Sequence, residues 1–146
     1  MLETEVTRAT SLFDYARCIQ IRTRVFVIGQ QVPWDREVDG YENESQHYLA
    51  TRNGDALGTV RWRHYGEAAA KIERLAVLEG SRGLKIGSKL MEHTMREIAK
   101  LTDIQWVKVG SQDHAIPFYV SLGFQVDGDG FEDAGIPHHN MLKRLG

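Results

Sequence analysis

The first clear pattern of apolar and polar positions along this chain has a helical period. Ser11 followed by Asp14 is typical of a helix N-cap, and the helix is expected to end before Gly29. Ahead of it, residues 3–9 alternate loosely and predict a first strand. The buried side of the helix is expected to consist of the apolar residues at helical spacing, which are Leu12, Tyr15, Ala16, Ile19 and Phe26.

Three consecutive segments then have the branched apolar composition of strands, at residues 47–52, 57–64 and 70–77. Asn53-Gly54-Asp55 separates the first two and is typical of a hairpin turn. A second turn is expected around Gly66. The pattern therefore predicts three sequential antiparallel strands.

A glycine-rich turn, Glu79–Ser88, connects the third of these strands to a second amphipathic helix. Its apolar side is expected to contain Ile86, Leu90, Met91, Ile98 and Leu101. Residues 104–109 follow as another strand. A strand, helix, strand order predicts two parallel strands joined by a right-handed crossover.

The last part of the chain predicts a short helix over 111–122, with Pro117 near its first turn and Gly123 as its C-cap. A strand over 124–126, a turn at Asp127–Gly130 and a closing strand over 139–145 complete the pattern. The expected fold class is α+β in α/β/α layers. It has one mixed, mostly antiparallel sheet of six to seven strands around a central parallel crossover, and we expect a single domain over residues 1–146.

Composition excludes several classes of function. The 146 residues contain 18 basic and 20 acidic side chains, and a net charge of −2 gives no general attraction to nucleic acid or an anionic membrane. No apolar run approaches a membrane span, and the N-terminus lacks a secretory pattern, so we expect a cytoplasmic protein. The single cysteine, Cys18, excludes an internal disulfide and favours a small core residue over a nucleophile.

The turn Glu79–Ser88 has the composition of an anion site. Glycines let the backbone approach a ligand, and the first N–H groups of a helix favour an anion, to which Arg82 and Lys85 would add charge. An ordinary turn with two solvated cations is the alternative. The glycine spacing fits neither the nucleotide P-loop nor the dinucleotide fingerprint.

Two segments resemble the GCN5-related N-acetyltransferase (GNAT) family. Leu75–Val77 followed by Arg82–Gly87 resembles its acyl-coenzyme A motif, although Lys85 stands where the first motif glycine is usual. Ala115–Tyr119 with Leu122–Phe124 resembles a second family segment, and Gln112 stands where many members have asparagine.

Further segments resemble the ElaA/YjcF-like subgroup of the family. They are Arg24–Gln30, Val32-Pro33, Glu37-x-Asp39, His47 and Gly135–His138. Gly29 occupies the place of a glutamate that is usual in the subgroup. In combination, the resemblance covers about residues 20 to 145.

The resemblance implies acetyl-coenzyme A as co-substrate, without a metal. Carried over position by position, it implies that the strand, the turn and the second family segment bind the coenzyme. These cofactor-binding residues are Leu75, Ala76, Val77, Arg82, Gly83, Leu84, Lys85, Ile86, Gly87, Ser88, Gln112 and Phe118.

The implied reaction needs a base for the amine and an acid for the leaving thiolate. We predict Tyr119 as the acid, with a tyrosine that anchors its helix as the alternative. Glu73 is the predicted base, because strand alternation would put it on the same face as Leu75 and Val77. The alternatives are a paired surface carboxylate at Glu73 and a histidine base, for which the candidates are His47, His138 and His139.

For the acceptor, residues 30–46 predict a long acidic loop with a short helix, which would suit a cationic amine. The predicted substrate residues are Trp34, Glu37, His47 and His138. We expect an N-acetyltransferase acting on a small-molecule amine or amino acid by direct attack in a ternary complex. A catalytically impaired coenzyme A-binding module and a protein N-acetyltransferase are the alternatives. We expect neither nucleic acid nor membrane as a partner, and a homodimer stays an open option.

Overall fold

A computed structural model describes residues 3–146 of the chain. Met1 and Leu2, which belong to the predicted domain, lie outside the described residues. The strands are β1 (Thr4–Arg8), β2 (Gln46–Arg52), β3 (Asp55–His64), β4 (Ala69–Val77), β5 (Trp106–Gln112), β6 (Gln125–Asp133) and β7 (Ile136–Arg144). The helices are α1 (Leu12–Arg22), a π-helix (Thr23–Ile28), α2 (Trp34–Glu37), α3 (Ile86–Ala99) and α4 (Ile116–Ser121), with 3₁₀ turns at Glu79–Ser81 and Asp113–Ala115.

The strands form one mixed sheet in the order β1-β2-β3-β4-β5-β7-β6. β4 and β5, which α3 connects in the chain, pair in parallel, and the other neighbouring pairs are antiparallel. Asn53 and Gly54 both have positive φ, as a type I′ hairpin turn requires. The predicted fold class and parallel crossover are therefore confirmed.

Helices cover both faces of the sheet. Ile86, Leu90 and Ile98 of α3 pack on one face in a core that also contains Tyr119 of α4. Cys18 and Ile21 of α1 pack on the other face. Cys18 is fully buried, as expected of a core residue. Among residues 3–146, no helix has both the length and the apolar composition that a membrane span requires.

The side of α1 that is buried differs from the prediction. Leu12 is 87% exposed, whereas Cys18, Ile21 and Arg22 are buried. The N-cap is as predicted, because the Ser11 hydroxyl accepts a hydrogen bond from the Asp14 N–H at 3.1 Å. The buried residues all lie in the second half of α1, and Leu12 and Phe13 of its first turn are exposed. Helical period alone does not reveal this.

The C-terminal hairpin also differs. The predicted turn at Asp127–Gly130 is wrong: these residues lie within β6, where the register against β7 shifts and Gly128 has a φ of +83°. The chain turns instead at Ala134-Gly135, and both residues have positive φ. A glycine-rich run inside a strand is typical of a bulge as well as of a turn. In the second helix, Leu101 lies beyond the end of α3 and is exposed.

Candidate active site

A cleft of about 830 Å³ opens where β4 and β5 separate. Their pairing covers Ala69–Ile72 of β4 and stops there, so the backbone of residues 73–77 no longer has β5 as a partner. One end of the cleft is lined by Val77, Arg82 and Gly87, and the other by residues of the π-helix, α2 and the β6–β7 hairpin. We call these the coenzyme end and the acceptor end.

A bulge in β4 shapes the floor of the cleft. The register between β3 and β4 adds one residue to β4 between Glu73 and Ala76, and Arg74 has a φ of +57°. Leu75 and Val77 consequently pack on the α3 face together with Ile72, while Ala76 packs on the α1 face. The predicted alternation, which put Glu73 on the same face as Leu75 and Val77, is therefore wrong. The sequence carries no signal for this bulge.

The coenzyme end is built from the predicted strand and turn. Of the predicted cofactor-binding residues, those on the cleft wall are Leu75, Ala76, Val77, Arg82, Gly87, Gln112 and Phe118. The others form the turn and the first residues of α3 beside Gly87, and they are Gly83, Leu84, Lys85, Ile86 and Ser88. A Cβ on Gly87 would lie 3.7 Å from Phe118 and 3.9 Å from Val77, so its missing side chain leaves space on the cleft wall for a ligand.

Lys85 caps α3 in the left-handed conformation, at φ 59° and ψ 27°. This conformation explains why a glycine is usual at this position, since a Cβ makes it costly. The turn thus contains a residue with a side chain at a position whose backbone conformation favours glycine.

Gly29 follows the π-helix at another departure from the subgroup pattern. A Cβ at this position would lie 2.7 Å from the carbonyl oxygen of Val25, a contact that requires the backbone to shift. The glutamate that is usual in the subgroup therefore does not fit the backbone found here.

Tyr119 lies on α4 and lines the cleft. Its ring makes edge contacts with Phe118 and Phe124, with centroid distances of 5.1 Å and 5.9 Å. Burial raises the pKa of Tyr119 to about 12. The phenol is therefore protonated throughout the neutral range and is a hydrogen-bond donor.

Glu73 also lines the cleft, but cations surround it. Arg61 and Arg63 each reach its Oε2 at 3.1 Å through Nε, and Lys71 Nζ lies 3.2 Å from Oε1. Burial on its own would raise the pKa of Glu73, but the Arg63 hydrogen bond and the Arg61 and Lys71 charges outweigh burial and hold that pKa below its ordinary value. These contacts make Glu73 a weak base.

Glu73 is one member of a connected set of ion pairs beneath the acceptor end, which we call the ion network. Arg22 binds Glu37 and Glu42 at 2.7 and 2.8 Å, and Arg61 binds Glu42 at 2.6 Å. The network contains five cations, Arg22, Arg61, Arg63, Lys71 and Arg74, and four carboxylates, Glu37, Asp39, Glu42 and Glu73.

The acidic loop is therefore mostly committed to the protein itself. Glu37 lines the cleft, but its Oε1 already binds Arg22, and its buried Oε2 has no hydrogen-bond partner among residues 3–146. Tyr41 lies under Arg63 at 3.8 Å. Trp34 is 78% exposed and is not on the cleft wall. Of the acidic and aromatic residues that the structure describes in this loop, Glu37 alone lies on the cleft wall.

The three candidate histidines lie in different places. His47 is buried beside the ion network, where its Nε2 lies 3.0 Å from the Glu42 carbonyl oxygen, and it is not on the cleft wall. His139 pairs with Asp113 at 2.7 Å outside the cleft wall. His138 lines the acceptor end and stacks on Phe131.

A hydrogen bond fixes the tautomer of His138. Its Nδ1 lies 2.6 Å from the carbonyl oxygen of Ile136. Since a carbonyl only accepts, Nδ1 carries the hydrogen and Nε2 of the neutral ring is left as an acceptor.

Sequence reasoning missed several residues of the acceptor end. Gln30 and Gln112 hydrogen-bond each other through their amides, at 2.8 and 3.3 Å, and so connect the end of the π-helix to the end of β5. Arg74 also lies on the cleft wall. The remaining missed wall residues include Val25, Phe26, Val32, Phe131, Ile136 and Asn140. Gln30 could have been found, because it closes a segment that carries the subgroup resemblance, but Arg74 reaches the site only through the bulge. No group of three potential metal ligands is found in residues 3–146.

Comparison with known proteins identifies related chains. A family model described as the acetyltransferase (GNAT) domain matches residues 21–145. The uncharacterized N-acetyltransferase YjcF of Bacillus subtilis is 35% identical over 124 residues, covering 84% of this chain and 87% of that protein.

Solved structures of acetyltransferases and related proteins have the same fold as this chain. The crystal structure of Escherichia coli ElaA has a TM-score of 0.85 at 28% identity, covering 98% of this chain and 99% of ElaA. A Bacillus subtilis acetyltransferase in complex with CoA shares the fold, with a TM-score of 0.74 at 16% identity and 99% coverage of both chains.

Proposed function

This chain belongs to the GNAT acetyltransferase domain family, and we propose that it transfers the acetyl group of acetyl-coenzyme A to a primary amine of a small molecule or amino acid. The observation that carries the proposal is the continuous cleft. It connects a glycine turn at the start of α3 with a separate acceptor end, along the part of β4 that no longer pairs with β5. Direct attack in a ternary complex requires this arrangement, because both substrates must reach the same point.

The coenzyme end fits the coenzyme. The space left by Gly87 and the N–H groups at the start of α3 suit a pyrophosphate, and Arg82 adds a charge on the cleft wall. On the side that β5 leaves without a strand partner, the backbone at residues 75–77 can bind the pantetheine and, during transfer, donate to the developing oxyanion. When bound, the coenzyme supplies the thioester that the amine attacks. That a related fold was crystallised in complex with CoA supports this assignment.

We assign Tyr119 to the departing thiolate. Its phenol lies on the wall of the cleft beside Phe118, and its raised pKa keeps it in the donating form. We assign the base to His138 in place of Glu73. Nε2 of His138 is an available acceptor at the acceptor end, whereas the Glu73 carboxylate is held by cations.

The test of the coenzyme is a thermal shift with acetyl-coenzyme A, desulfo-coenzyme A and ATP in parallel. Mass action raises the melting temperature with the first two and leaves it unchanged with ATP if the proposal holds. Equal stabilisation by ATP would contradict it.

The test of the reaction is turnover of acetyl-coenzyme A with a panel of small amines, next to a protein lysine substrate. Acetylation of the protein lysine alone would overturn the small-molecule part. Tyr119→Phe separates an enzyme from a binding module, since an enzyme loses turnover and keeps its affinity for the coenzyme. A wild-type protein that binds acetyl-coenzyme A and acetylates nothing in the panel would favour the binding module.

A further inference from the structure

The ion network has one more cation than it has carboxylates. Five cations and four carboxylates are joined by contacts of 4.0 Å or less. His47, which also contacts Glu42, does not change this count: burial and the nearby Arg22 and Arg61 lower the pKa of His47, so the ring is neutral. An unbalanced charge in a partly buried cluster is costly, and a bound anion would remove the cost.

Arg74 is the cation that can receive that anion. It lines the cleft, and its side chain is 25% exposed, whereas Arg22 and Arg61 are 1% exposed. Lys71 is equally exposed on the cleft wall, but its ammonium binds Glu73 at 3.2 Å and lies over the Tyr65 ring. Its hydrogen bonds use Nε, to the Glu37 carbonyl, and Nη2, to Asp39, and Nη1 has none within residues 3–146. One edge of the guanidinium is fixed, and the remaining nitrogen is available on the cleft.

The backbone also holds Arg74 in an unusual state. A φ of +57° within a strand is strained for a residue with a side chain, and such strain concentrates at functional sites. Burial, together with Arg61 and Arg22, lowers the pKa of Arg74, so its surroundings disfavour a cation unless another anion is present.

The coenzyme phosphates are not the anion that fits this position. They are assigned to the turn and helix start that follow β4, which ends at Val77. The Cα atom of Arg74 lies three residues before that of Val77, which is about 10 Å at strand spacing. Its guanidinium contacts Glu37 and Asp39, on the loop that forms the wall of the acceptor end.

We propose that the acceptor amine also carries a carboxylate, as an amino acid does, and that Arg74 binds this carboxylate while the amine faces the thioester. The inference rests on the proposed function and narrows its substrate class. Glu37 Oε2 has no hydrogen-bond partner among residues 3–146, but this does not favour a cationic acceptor. Arg22 and Arg74 already balance the Glu37 charge, so Oε2 lacks a hydrogen-bond donor and not a counter-charge. A polycationic acceptor of the aminoglycoside type would add charge where cations are already in excess.

The test compares matched acceptors on the wild-type enzyme. Each common amino acid is assayed beside its amide and its decarboxylated amine, which keep the amino group and lose the carboxylate. We expect kcat/KM for the best amino acid to exceed that of both partners on the order of tenfold to a hundredfold, as one charge-assisted contact predicts. Equal or faster turnover of the partners would overturn the inference and leave the acetyltransferase proposal intact.

Variants locate the contact. Arg74→Gln should lower kcat/KM for the amino acid by the same factor and leave the amide unchanged, and Arg74→Lys should restore part of it. Arg24→Gln, on the exposed side of the π-helix, is the matched control and should change neither. A thermal shift with acetyl-coenzyme A verifies that each variant folds. Loss of turnover on both acceptors by folded Arg74→Gln would overturn the assignment to Arg74.

A binding measurement separates failure of this inference from failure of the proposed function. If acetyl-coenzyme A binds but no amine is acetylated, the small-molecule transfer proposal fails. Titration of N-acetyl amino acids and their amides into the coenzyme A complex then still decides the inference: tighter binding of the acids supports it, and equal binding overturns it.

Discussion

Arg61 donates two hydrogen bonds to the same oxygen of Glu73, from Nε at 3.1 Å and from Nη2 at 2.8 Å. The arginine is 1% exposed, and Glu73 is the carboxylate that joins it to Arg63 and Lys71. A carboxylate in this position supports the sheet beneath the acceptor end. It has little remaining capacity to take a proton from a substrate.

Glu73→Gln should therefore affect stability more than chemistry. Removing one charge from a buried set typically costs about 3–5 kcal/mol, because the partner cations stay buried. Urea unfolding at neutral pH measures this loss. At a substrate concentration and temperature where the variant is folded, we expect kcat/KM to fall less than about tenfold. A variant with wild-type stability and turnover lowered by two orders of magnitude would instead identify Glu73 as the base.

Lys85→Gly should stabilise the protein. Lys85 has a φ of 59°, and a side chain in this left-handed region costs about 1 kcal/mol relative to glycine. Lys85→Ala is the control, since it removes the charge and keeps the Cβ. If the charge does not contact the coenzyme, only the glycine variant should raise the melting temperature, and coenzyme affinity should stay equal or rise. Weaker coenzyme binding in both variants would show that the ammonium group binds phosphate.

Gly58→Ala should destabilise the protein, although a small residue in β3 carries no sequence signal of its importance. A Cβ at this position would lie 2.9 Å from Ile86 and 3.0 Å from Leu90, so α3 would have to move away from the sheet. Overpacking of this kind costs about 1–3 kcal/mol. Gly40→Ala is the matched control, because nothing lies within 4 Å of its Cβ position. Equal melting temperatures for the two variants would contradict the close approach of α3.

Acid should weaken the fold in two stages. Burial lowers the pKa of His47 in the folded protein, so on acidification the unfolded chain takes up a proton at this residue before the folded chain does. The free energy of unfolding therefore falls as the pH drops below the ordinary histidine value of about 6.5. Burial would raise the pKa of Glu42, but Arg22 and Arg61 outweigh it and lower that pKa to about 2. Its contribution is complete above the ordinary carboxyl value of about 4.3 and is lost as the pH falls towards 2.

Melting temperatures between pH 8 and pH 3 measure both stages. His47→Gln retains a donor for the Glu42 carbonyl and should remove the first stage only. An unchanged profile between pH 7 and pH 5 in this variant would contradict the assignment to His47.

The elements of this fold are largely readable from local sequence, whereas its irregularities are not. Asn53 and Gly54 specify a hairpin turn because both residues readily adopt the positive φ that the turn requires. The spacing of Ile86, Leu90 and Ile98 specifies the buried face of α3. Those signals act within a few residues. The β4 bulge, by contrast, depends on how β3 and β4 align, and its one extra residue puts Glu73 and Leu75 on opposite faces of the sheet.

The candidate site divides in the same way. The turn at the coenzyme end follows from glycines and a helix start, so the sequence indicated most of it. The acceptor end is assembled from the π-helix, β6 and β7, which are distant in sequence, and its charges are balanced by arginines behind the wall. An acidic stretch such as Glu37–Asp39 therefore predicted a cation-binding surface, although buried guanidinium groups neutralise it.

His138→Asn tests the assigned base directly. The asparagine amide can still donate to the Ile136 carbonyl in place of Nδ1, while the acceptor at Nε2 is lost. We expect kcat to fall by about 10²–10⁴-fold with unchanged affinity for acetyl-coenzyme A. His139→Asn is the neighbouring control, because His139 pairs with Asp113 and is not on the cleft wall. Retention of turnover by His138→Asn, or an equal loss in both variants, would exclude His138 as the base.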